Sequence, residues 1–71
     1  MRMKDYIEVS FTYHAPKNKE QIDKYTYLRN EAKALAHVID EQCPDSLEKT
    51  RAIQKLEEAV MWANAAIARW E

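Results

Sequence analysis

The stretch Ile39-Asp40-Glu41-Gln42-Cys43-Pro44-Asp45-Ser46-Leu47-Glu48 decides the fold, because Pro44 interrupts two long segments that share one periodicity. Proline has no backbone N–H and pushes the residue before it out of the helical region, so a helix arriving at Gln42 must stop there. Upstream, Ile22, Tyr25, Leu28, Ala32, Leu35, Ala36 and Ile39 step by three and four and lie along one helical stripe. Downstream, Ile53, Leu56, Val60, Ala63, Ile67 and Trp70 do the same, which assigns Trp70 to the core. A link of a few residues around Cys43-Pro44-Asp45 forces two such helices to lie antiparallel.

The helix starts carry their own signals. Asn18 followed by Gln21 resembles a capping box, in which each side chain satisfies the other's free backbone N–H, and Asp45 with Glu48 repeats the pattern after Pro44. The spacing therefore predicts helices over 18–42 and 45–70. The chain has no glycine and two prolines, where strands joined by tight turns would want residues tolerant of positive φ. The expected fold is all-α, an antiparallel helical hairpin in a single domain over residues 1–71. Residues 1–17 form a short arm: Ile7, Val9, Phe11 and Tyr13 alternate loosely, and an extended arm or a short helix from about Met3 to Glu8 fits equally well.

Size then demands company. A chain of 71 residues buries only about 60% of its unfolded surface, and domains this small draw on disulfides, metals or oligomerisation. The single Cys43 rules out an internal disulfide, and His14 and His37 with one cysteine make a poor zinc set. Oligomerisation is left. On the second helix, Arg51, Glu58, Trp62, Ala65 and Arg69 fall roughly opposite the apolar stripe at about 100° per residue. Trp62 thus faces away from the hairpin seam, where burial of its ring is worth roughly 1.5–3 kcal/mol. Either a subunit contact or a stacked ligand covers it. Ala59, Ala63, Ala65, Ala66 and Ala68 around it keep the surface low enough for a second backbone to approach, and Trp62, Met61, Ala65 and Ala66 are the expected interface. Asn64, at the edge of the stripe, needs hydrogen-bond partners when buried, from the protein or from a ligand. Arg51 and Arg69 either snorkel over apolar surface or hold an anion.

Composition excludes several classes. Eleven Lys+Arg against twelve Asp+Glu leave a net charge of −1, so no attraction to DNA or RNA polymers or to anionic membranes is expected. No window approaches the ~18 apolar residues of a membrane span, and the polar start Met1-Arg2-Met3-Lys4-Asp5 lacks the core of a signal peptide, which predicts a cytosolic protein. There is no glycine-rich phosphate loop. The histidines sit in separate segments from Cys43, and the neighbours Glu57 and Glu58 point about 100° apart on a helix. Nothing in the pattern points to catalysis, a metal or a cofactor.

Aromatic and basic residues interleave in Phe11-Thr12-Tyr13-His14-Ala15-Pro16-Lys17 and again in Lys24-Tyr25 and Tyr27-Leu28-Arg29. Aromatic faces stack bases and cations hold phosphates, so the combination suits a small nucleotide, and it equally suits an ordinary interface. Tyr25 and Tyr27 are expected to pack under the arm, leaving Tyr13, His14 and Arg29 free.

Those strings, with Tyr25-Thr26-Tyr27-Leu28-Arg29, Cys43-Pro44-Asp45-Ser46 and above all Leu56-Glu57-Glu58-Ala59-Val60-Met61-Trp62-Ala63-Asn64-Ala65-Ala66-Ile67-Ala68-Arg69, resemble the anti-CBASS and Thoeris anti-defence hairpin domain of small phage proteins. The resemblance covers about residues 9 to 69. It implies a sponge that binds the cyclic nucleotide messengers of bacterial antiphage systems, such as cyclic GMP-AMP, without chemistry on them, in the cytoplasm of the infected host. It also implies a hexamer with two kinds of intersubunit pocket. Carried onto this sequence, a cyclic dinucleotide site draws on Tyr13, His14, Lys17 and Arg29, and a cyclic trinucleotide site on Arg69 and Asn64. Trp62, Met61, Ala65 and Ala66 remain interface residues. The Thoeris-directed relatives carry a β-rich part before the hairpin and bind cyclic ADP-ribose signals; the short arm here favours the CBASS-directed kind. A hairpin that serves only protein contacts is the rival expectation.

Overall fold

A computed structural model describes residues 2–71. It is all-helical: α1 spans Met3–Ser10, α2 Lys19–Gln42 and α3 Leu47–Trp70. The two long helices pack along each other, and α1 touches them only slightly. Each long helix has 24 residues, about 36 Å at ~1.5 Å per residue, which accounts for most of the 43 Å long axis. The thinnest dimension is 15 Å, little more than one layer of helices.

The start of α2 follows the sequence closely. Asn18 Oδ1 accepts from the Gln21 N–H at 3.0 Å. The return half of the box is displaced by one residue, because Gln21 Oε1 accepts from the Lys17 N–H at 2.9 Å instead of from Asn18. At α3 the expected cap moves as well. Ser46, not Asp45, is the N-cap, its hydroxyl accepting from the Lys49 N–H at 3.1 Å. Asp45 is thereby released to meet the Lys49 ammonium at 2.8 Å, while Asp40, in the last turn of α2, meets it at 2.6 Å. Only 9% of the Lys49 side chain is exposed, so one cation clamps both sides of the turn. Its bond to Asp40, then that to Asp45, raises the Lys49 pKa, and the same contact holds the Asp45 carboxyl below its ordinary value.

The seam is narrow. Tyr25, Leu28, Ala32, Ala36 and Ile39 on α2 face Ile53, Leu56, Val60, Ala63 and Ile67 on α3, all half-buried. Ile22 and Leu35, read as part of the stripe, stay about half exposed on its edge, since one partner helix covers only a thin line of each surface. Trp70 is also not core; it is 64% exposed. The carbonyl of Ile67 meets the first turn of α2 at Gln21, and Glu71 pairs with Lys24, so α3 is tied to α2 through its polar groups here while the indole faces outward.

Among the described residues no hydrophobic side chain is buried, and the one buried residue is Gln21. The chain exposes 5944 Å², against about 4,600 Å² for a compact monomer of this mass. Its radius of gyration, 15.2 Å, likewise exceeds the roughly 11 Å of a compact chain of this length. The arm is helical as far as Ser10, turns at Phe11 and Thr12, and then runs without helix or strand to Asn18, so the short-helix alternative holds with two more residues than expected.

Candidate functional site

The arm's course is set by a few polar contacts. Thr12 Oγ1 donates to the Glu8 carbonyl as α1 ends, and His14 Nε2–H donates to the Val9 carbonyl at 2.9 Å, folding the extended segment back on its own helix. Further along, Gln21 fastens the arm to α3: it accepts from the Lys17 N–H and donates from Nε2 to the Ile67 carbonyl at 3.4 Å. Pro16 has no N–H of its own to satisfy, which suits this exposed connection.

Held in this way, the arm closes one side of a groove of about 400 Å³ lined by Tyr13, His14, Pro16, Tyr25, Arg29, Asn64, Ala65 and Ala68. Tyr13 is 86% exposed, so its ring lies open to a stacking partner. Tyr25 is half-buried on the hairpin, whereas Tyr27, also expected under the arm, points to solvent. Arg29 makes no ion pair among the described residues. His14, with Nε2 committed to Val9, has Nδ1 left for a ligand. The floor is alanine, which lets a flat ring approach the helix backbone closely. Two aromatic faces, an unpaired guanidinium and a carboxamide on a small-residue floor are the elements with which proteins hold bases and phosphates together.

The sequence-predicted sets are regrouped. Tyr13, His14 and Arg29 come together as expected, but Lys17 does not join them: its ammonium donates to the carbonyl of Glu71. Asn64, assigned on resemblance to the company of Arg69, lies instead in the Tyr13 groove. Arg69 lines a smaller hollow of about 200 Å³ with Met61, Trp62 and Ala65. Ala65 borders both, so the two hollows sit on adjacent flanks of α3. Trp62 and Met61 are mostly exposed, at 57% and 64%, and Ala66 is exposed too. Near Trp62, Glu58 is held below its ordinary carboxylate range by its hydrogen bond to Lys55 and that cation's charge, and by the indole. Pro16, Tyr25, Ala65 and Ala68 are the lining residues that the sequence did not single out for a ligand site; Pro16 and Tyr25 stand in the aromatic–basic strings.

Among the described residues no cluster of three or more His, Cys, Asp or Glu side chains stands ready for a metal, and no helix is long and apolar enough to cross a membrane. The family described as Acb2/Tad1, hairpin domain, matches residues 3–68. The chain belongs to the Acb2/Tad1 hairpin family. No curated protein and no solved structure matches it. Membership in the Acb2/Tad1 hairpin family is consistent with a phage anti-defence sponge acting in the host cell, a domain that sequesters a ligand and is not known as catalytic.

Proposed function

We propose that this chain is an anti-CBASS sponge, which binds cyclic dinucleotides such as cyclic GMP-AMP, and cyclic trinucleotides, and withholds them uncleaved from their effectors in the cytoplasm of the infected host. The observation that carries the reading is the meeting of Tyr13, His14 and Arg29 in one groove on a chain of the Acb2/Tad1 hairpin family. Tyr13 stacks a base, Arg29 neutralises a phosphate, and the His14 ring closes the edge. The mechanism is mass action: each bound messenger leaves the free pool, so abundance and affinity suffice.

The protomer is open on the sides away from its seam, which favours a homo-oligomer. A hexamer built from twofold pairs fits the ligand, because a cyclic dinucleotide has two like halves that two copies of one groove contact alike. Arg69, in its separate hollow beside Trp62, serves a trinucleotide where three subunits meet.

Isothermal titration with cyclic dinucleotides, cyclic trinucleotides and cyclic ADP-ribose isomers, beside the native mass, tests this. One dinucleotide per two subunits and one trinucleotide per three are expected. Binding of cyclic ADP-ribose isomers alone transfers the protein to the Thoeris-directed kind, and no binding of any member leaves a hairpin made for protein contacts.

A further inference from the structure

The groove that holds Tyr13 does not end at Arg29. A second hollow of about 370 Å³ begins there, so that Arg29 is a wall common to both. On the α2 bank of this hollow Lys33 follows Arg29, above the small residues Ala32 and Ala36, and on the α3 bank stand Gln54 and Glu57. Lys33 is exposed and, like Arg29, makes no ion pair among the described residues. Glu57 makes none either, although it lines the same hollow.

Two properties of helices bring Lys33 to the groove. Residues four apart lie one above the other on one face, with Cβ atoms about 5–6 Å apart. Side chains also lean toward the N-terminus of their helix, and Tyr25, which lines the groove with Tyr13, is in the N-terminal half of α2. The Lys33 stem therefore leans back toward the Arg29 guanidinium and the Tyr13 groove. Lys17, the cation expected beside Arg29, is taken up by Glu71.

We propose that Lys33 is the second cation of the dinucleotide site, its ammonium donating to the same phosphate that Arg29 holds beside the base stacked on Tyr13. The assignment rests on the sponge reading of the groove. A planar guanidinium fork orients a phosphate, and a compact ammonium with three rotatable donors adapts to the oxygens left over. Glu57, across the hollow, repels the same anion and so lowers the affinity. Both effects are blind to the base, because phosphate contacts carry no base identity.

The test titrates cyclic di-AMP and cyclic di-GMP into wild type, Lys33→Gln, Lys33→Arg and Glu57→Gln. Lys33→Gln is expected to weaken both ligands alike by about five- to tenfold, between the effect of an exposed ion pair and that of a charge-assisted hydrogen bond. Lys33→Arg keeps most of the affinity, and Glu57→Gln raises it by up to about fivefold. The gap between wild type and Lys33→Gln narrows from ~0.1 M to ~1 M salt, as the screening length falls from ~10 Å to ~3 Å. Native mass and Tm without ligand stay as in wild type. An unchanged affinity in Lys33→Gln overturns the proposal while the sponge reading stands. So does a loss confined to one of the two ligands, which assigns Lys33 to a base, or a loss accompanied by a lower Tm or mass, which assigns it to the fold. Weaker binding in Glu57→Gln also overturns it, because the carboxylate is then a ligand contact. Should wild type bind no cyclic dinucleotide at all, the sponge reading falls first and takes this inference with it.

Discussion

The two ends of the hairpin differ in how far a single chain satisfies itself. At the turn, Lys49 reaches Asp40 and Asp45, Ser46 caps α3, and the link is closed within the stretch from Asp40 to Lys49. At the open end, Arg29 and Arg69 lack a carboxylate among the described residues, Asn64 holds an unpartnered oxygen, and Trp62, Tyr13 and Trp70 are mostly exposed. Charge and polarity at the turn are spent locally on geometry. At the open end Lys17 and Lys24 are taken up by Glu71, but the two arginines remain available for something outside the chain, and it is there that the candidate site lies.

Four measurements break or sharpen this contrast. Trp62→Ala has the largest expected effect: loss of a central aromatic anchor costs about 2 kcal/mol or more at an interface, so the native mass falls. An unchanged mass returns Trp62 to a ligand-stacking role. Next, Tyr13→Ala removes a stacking face worth roughly 1–3 kcal/mol per base, a loss of about five- to 150-fold in dinucleotide affinity with native mass unchanged; affinity kept in this variant removes Tyr13 from the site. Gln21→Leu leaves the Lys17 N–H without its partner and the Ile67 carbonyl with only the Glu71 N–H, which costs about 0.5–1.5 kcal/mol and some 4–8 °C of Tm per kcal/mol in so small a chain. It also releases the arm, so dinucleotide affinity drops with stability, and an intact affinity shows that the arm is positioned without Gln21.

The smallest effect belongs to the turn. The raised Lys49 pKa means that its share of stability is fully present below the ordinary lysine value and is lost as pH rises through the higher folded value. The lowered Asp45 pKa means that its share is present above the ordinary aspartate value and is lost as pH falls through the lower folded value. Tm contributed by the clamp is therefore flat between the two and declines at either extreme. In Lys49→Met both limbs shrink while ligand affinity stays as in wild type; a loss of affinity denies that the two ends are independent.

Much of this was legible before folding. The Asn18–Gln21 pairing, the break at Pro44 and the outward direction of Trp62 all follow from local rules, since caps, proline and helical period act over at most a few turns. The departures have different ranges. Gln21 reaches Lys17 by a local contact four residues back, and Trp70 stays mostly exposed although its helix is otherwise paired with α2. Lys17 is diverted to Glu71, and Asn64 is brought to Tyr13, by the proximity of chain ends that lie more than fifty residues apart in sequence. Spacing along one helix gave no information about these neighbours.

The sequence by itself determined an antiparallel pair of helices, their limits to within a few residues, and the shortage of burial that follows from so small a chain. Periodicity, capping and proline are short-range properties, so they are written where they act. Tertiary structure decided which groups share a groove: Tyr13, His14 and Arg29 with Asn64, and Arg69 with Trp62. That division depends on where the arm crosses α3, a position set by the contacts of Gln21 and His14 with distant or neighbouring carbonyls, and no single segment contains it.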